Sequence, residues 1–77
     1  MTAETIREFV HKQPFEPFEI VMSSGERHQV RHPEFVIVSP GRLVIVEPVS
    51  DRLAVLSLMH VTEAHTLEAA GPSAPAL

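Results

Sequence analysis

The chain has 77 residues and no cysteine, and its six Lys plus Arg face ten Asp plus Glu, a formal net charge of −4 with the five histidines neutral. One small domain follows, burying only roughly 60% of the surface its unfolded form exposes, with disulfides, thiolate metal sites and cysteine nucleophiles excluded. The acidic balance and the single lysine, Lys12, argue against a nucleic-acid surface, because phosphate recognition leaves a basic stripe.

Thr2 is placed to cap a helix with Glu4 in its first turn, and Ile6, Phe9 and Val10 recur at the spacing of one helical face. The pattern predicts a helix over 3–12, ended by Pro14. This charged amphipathic opening lacks the continuous apolar stretch of a signal peptide, and no segment has the length of a membrane span. The expectation is a soluble, cytoplasmic protein.

From Phe18 the period changes to two: Phe18, Ile20 and Met22 share one face of a first strand. Ser23, Ser24 and Gly25 supply a turn, with Gly25 suited to a positive φ, and a polar strand over 27–31 follows. His32-Pro33-Glu34 interrupts pairing and predicts a bend or a single 3₁₀ turn. Two strands come next, 35–38 and 43–46, both apolar at every position and separated by Ser39-Pro40-Gly41-Arg42. The Pro40-Gly41 pair suits the centre of a type II turn. Beyond Pro48 and the Ser50-Asp51 turn lies a fifth strand over 53–58. Met59-His60 kinks the chain before a last strand over 61–67. Residues 68–77 are mainly Ala, Gly, Pro and Ser with few anchoring side chains, and read as a disordered tail.

The fold class predicted is mainly β, of α+β type: one N-terminal helix, then a five- or six-stranded antiparallel meander in a single domain over 1–67. Small twisted sheets of this kind curl into SH3-like or Sm-like, partly open barrels. A flat sheet with the helix on one face is the alternative.

The 35–46 hairpin carries the functional expectation. A strand with one wet face alternates, whereas these two need cover on both sides, and so short a chain has little to supply it. Val36, Val38, Val44, Ile45 and Val46 are therefore the candidate interface residues, whichever parity proves outward. An exposed apolar patch of several hundred Å² is usually an interface. The reading is a non-enzymatic interaction module that forms a homo-oligomer, a dimer or a ring, or docks on a protein partner. The competing reading is a nucleic-acid-binding module using the strand face of Arg27, Gln29 and Arg31.

Thr2-Ala3-Glu4 before an amphipathic helix, Pro14-Phe15-x-Pro17-Phe18, Ser23-x-Gly25, His32-Pro33-Glu34-Phe35 and a final Val61-Thr62-Glu63 together resemble a family of short bacterial proteins without assigned function. The likeness spans 2–67 and implies size and general shape alone. In topology the chain is also similar to the Sm-like RNA chaperones, which place a helix before a bent sheet and assemble through strand edges. It has none of their sequence motifs.

Catalytic and metal chemistry find no constellation. His28 and His32 are four positions apart, roughly 13 Å in an extended strand, and His11, His60 and His65 lie on other elements or faces. The acidic residues are spread almost evenly, and Glu34, at the bend after Pro33, reads as a turn contact. Three glycines make no phosphate loop, and no serine has a nucleophile-elbow context. With no Trp or Tyr, and with Phe9, Phe15, Phe18 and Phe35 in positions that read as core, stacking platforms are lacking. The sequence thus predicts no enzyme, no cofactor, no metal and no membrane association.

Overall fold

The computed structural model describes residues 1–67; the tail at 68–77 lies outside the described residues. Helix α1 (Ala3–Val10) begins where expected, with the Thr2 hydroxyl accepting the Thr5 amide at 3.2 Å. It stops at Val10, short of the expected end at 12, because Pro14 lacks the amide that would bond back to Val10. The His11 amide instead closes on the Arg7 carbonyl at 2.9 Å, and Lys12 turns to pair with Glu16 at 2.9 Å.

Six antiparallel strands follow: β1 (Phe18–Met22), β2 (Arg27–Val30), β3 (Val36–Val38), β4 (Arg42–Glu47), β5 (Arg52–Ser57) and β6 (Val61–Thr66). They form two three-stranded sheets, β2-β1-β6 and β3-β4-β5, rather than one continuous meander. Two 3₁₀ turns carry the chain between them, Pro33–Phe35 from β2 to β3 and Leu58–His60 from β5 to β6. Pro33 has no amide to donate, so pairing with β1 ends before it and resumes with β4 after it.

Gly25 takes φ 95 in the β1–β2 turn, where its amide donates to the Met22 carbonyl at 2.8 Å. The β3–β4 connection departs from the expected type II turn: Gly41 does not take the positive φ such a turn demands. Ser39 and Arg42 close it instead, the Ser39 amide donating to the Arg42 carbonyl at 2.9 Å and the Arg42 amide to the Ser39 hydroxyl at 3.1 Å. The Gly41 carbonyl is then free to accept the Leu58 amide at 3.0 Å, which ties this turn to the second crossing. On β6, Thr62 is an extra residue between the pairs Val21↔Glu63 and Met22↔Val61, and its hydroxyl donates to the Val21 carbonyl at 3.1 Å. That bulge bends the strand toward its 3₁₀ turn.

Inward side chains of both sheets meet in one core of Phe18, Ile20, Met22, Val30, Val36, Leu43, Ile45, Leu56, Leu58 and Val61, joined by Ala3 and Ile6 of the helix. Phe18 is fully buried, with the Phe9 ring at 5.0 Å and the Phe15 ring at 6.1 Å. The helix packs against β3 and sinks Ile6 into this core. It leaves the outer face of the second sheet bare.

Candidate functional site

Register decides which hairpin residues are available. Val36 pairs with Ile45 and Val38 with Leu43; this parity faces the core, where Val36 and Ile45 are buried and Val38 is half-buried. The opposite parity faces out. Ile37, Val44 and Val55 stand side by side across all three strands, and Val46 and Leu53 form the next row. Ile37 is 64% exposed, Val55 62% and Leu53 68%, while Val44 and Val46 are half-buried among them. Of the five candidates, Val44 and Val46 thus belong to a bare apolar surface and Val36, Val38 and Ile45 to the core side. Ile37, Leu53 and Val55 complete the surface; their signal in the sequence was parity, unreadable where both parities are apolar. The row beyond contains Arg42 and Ser57, so charge reaches this face only at its margin.

A cleft of 650 Å³ opens beside this surface, between β2 and the end of the β4–β5 hairpin. Arg27, His28, Gln29, Arg31 and His32 line one wall; Val46, Glu47, Pro48, Val49 and Ser50 line the other, with Phe35 between them. Phe35 is half-buried rather than core, and the His32 ring meets it edge-on at 5.1 Å. Neither ring nitrogen of His28 has a hydrogen-bond partner; Glu26 Oε1 lies 3.5 Å from Nε2 and Glu47 Oε2 lies 3.8 Å from Nδ1.

The polar face of the first sheet, which shares Arg27 with the cleft, carries a line of close contacts between acidic and basic groups. Arg27 Nη1 lies 2.9 Å from Glu19 Oε1, His65 Nε2 lies 3.1 Å from the same oxygen, and His65 Nδ1 lies 2.8 Å from Glu63 Oε2. Glu19 is the one buried charged residue among those described. Burial alone would raise its pKa, but the hydrogen bond and charge of Arg27, with lesser help from Gln29 and the charge of His65, bring it below the usual 4.5. A lowered pKa stabilises the fold fully above the unfolded value, and this contribution disappears as pH falls through the folded one. Acid titration of the urea midpoint from pH 6 to pH 3 should therefore show a steeper loss in the native protein than in Glu19→Gln; identical slopes would remove Glu19 from the acid response.

Of the suggested nucleic-acid set, Arg27 is paired with Glu19, and Arg31 Nη2 donates to Gln29 Oε1 at 2.8 Å. Among the described residues, no three His, Cys, Asp or Glu side chains converge as a metal site. Glu34 lies exposed in the first 3₁₀ turn. No helix among the described residues is long and apolar enough to cross a membrane. Comparison with protein families, curated proteins and solved structures finds no match to this chain.

Proposed function

We propose that this protein is a non-enzymatic interaction module that pairs with a second copy of itself through the outer face of β3-β4-β5. The observation that carries the reading is the uninterrupted apolar row Ile37, Val44 and Val55, backed by Val46 and Leu53, with no ionisable side chain in either row. An apolar sheet face of this kind suits pairing with itself: a twofold axis sets it against its own copy as the two sheets of a sandwich pack, roughly 10 Å apart. The helix before the strands, the return of β6 to β1 and the 3₁₀ turn ahead of the last strand support an SH3-like or Sm-like small barrel left open between its two sheets. The same features do not favour a nucleic-acid role, since Glu19 and Glu63 interrupt the basic face and Arg27 is already paired.

Light scattering after size exclusion tests the reading. At about 100 μM, where an interface of about micromolar affinity is saturated, the mass should be twice the 8.5 kDa of the chain. Val44→Glu places a carboxylate on both sides of the twofold contact, at about 2 kcal/mol each, weakening it roughly a thousandfold. The variant should run as a folded monomer with unchanged circular dichroism. A native protein that is already monomeric at this concentration defeats the proposal.

A further inference from the structure

The cleft between β2 and the hairpin end has a feature that the apolar face does not share: each of its walls includes a strand edge without a partner. β2 bonds to β1 along one edge and to no strand along the other. β4 bonds to β5 as far as Glu47, but to β3 only over 43–45, so Val46 and Glu47 have one open edge, and both line the cleft. Arg27, His28 and Gln29 are consecutive and alternate between the two faces of β2, yet all three line the cleft. A cavity touched by both parities runs along a strand's edge, not over its face. Unpaired edge amides and carbonyls are a template for another extended chain.

Side chains define what that chain must carry. Phe35, Val46, Pro48 and Val49 make an apolar strip along the cleft, and Arg31 stands on the opposite wall. Among the described residues no carboxylate pairs with Arg31, whereas Arg27 is matched by Glu19, and the one lining carboxylate, Glu47, lies 3.8 Å from His28 Nδ1. In a chain of net charge −4, the cation left over in this cleft selects a negative ligand group. The volume of 650 Å³ lies within the range of specific ligand sites. A nucleic-acid strand is a poorer fit, because it needs several cations along its backbone and open stacking faces, and Phe35 is a single ring already met by His32.

We propose that this cleft binds an extended peptide segment with alternating apolar and acidic side chains, added as a strand beside β2, with a carboxylate on Arg31 and an apolar side chain against Phe35, Val46 and Val49. The cleft shares Val46 with the self-association face but not Arg31 or Val44, so variants at those two positions test each site without the other.

The measurement is fluorescence anisotropy of a labelled heptapeptide alternating valine and glutamate, titrated with the native protein, Arg31→Glu and Val44→Glu. Saturable binding is expected, at least tenfold weaker for Arg31→Glu and unchanged for Val44→Glu. A peptide alternating valine and lysine, and the acidic peptide N-methylated at every second residue, should each lose at least tenfold. Arg31 is exposed, and unchanged circular dichroism of its variant separates lost binding from lost fold. Absence of saturation up to millimolar protein overturns the proposal. Binding indifferent to Arg31→Glu or to N-methylation overturns it equally, and salt-sensitive displacement of the peptide by a ten-nucleotide oligouridine would assign the cleft to nucleic acid instead.

Discussion

Phe18→Ala is expected to leave most of the protein unfolded at 37 °C. Phe18 has no exposed surface, stacks with Phe9 and Phe15, and occupies the central strand of its sheet, opposite Val30 on one side and Thr66 on the other. Removing a buried phenyl ring costs about 3–5 kcal/mol, most of it transfer energy plus the cavity left behind. A domain of this length has a total stability of about 3–10 kcal/mol. Helix and both neighbouring strands lose their shared contact at once, and no cysteine is present to hold them covalently. Urea unfolding followed by far-ultraviolet circular dichroism checks this. A cooperative transition with a midpoint near that of the native protein would show that the three phenylalanines do not form the centre of the core.

Ile45→Glu should unfold the protein outright, although Val44→Glu, one residue away, leaves the fold intact. Ile45 is fully buried between Val36 and Ala54 on the inward parity, whereas Val44 lies between Ile37 and Val55 on the outward one. A carboxylate at 45 has no partner among the surrounding core residues, all apolar, and leaving it there costs more than the fold can supply. The diagnostic result is the contrast: loss of chemical-shift dispersion in one variant and its retention in the other. If both variants unfold, the outward face is needed for folding itself; if the contrast is reversed, with Val44→Glu unfolded and Ile45→Glu folded, the β3–β4 register is shifted by one, since a one-residue slip exchanges the faces.

The elements themselves were legible in the residues. His32-Pro33 marks the break between β2 and β3 because proline cannot donate, and the crossing there is a 3₁₀ turn, as the sequence suggests. Alternation in Phe18, Ile20 and Met22 gave the inward face of β1 directly, as Thr2 gave the start of the helix. The hairpin was opaque for a physical reason: Val36 to Val38 and Leu43 to Val46 are apolar on both parities, so periodicity carries no information about which side is covered. That depends on where the helix docks, a tertiary outcome set by Ile6, Phe9 and Phe18. The division into two sheets was hidden likewise, since local patterning does not say that β6 returns to β1. Nothing local marks the cleft either, because its walls come from two separate segments, 27–32 and 46–50.

That return of β6 to β1 also fixes an order of events during synthesis. The sheet β3-β4-β5 is made of neighbouring hairpins, so all its pairings fall within 36–57. The first sheet waits: Phe18, among the earliest core residues translated, finds its last strand partner only when Thr66 has emerged. Until then β1 has a partner on one edge alone and its inward face lacks Val61, a pairing of high sequence separation that closes last. The final strand is therefore the latch of the domain: without it the central strand of the first sheet is open to whatever else can pair with it, and the core shared by both sheets loses Val61.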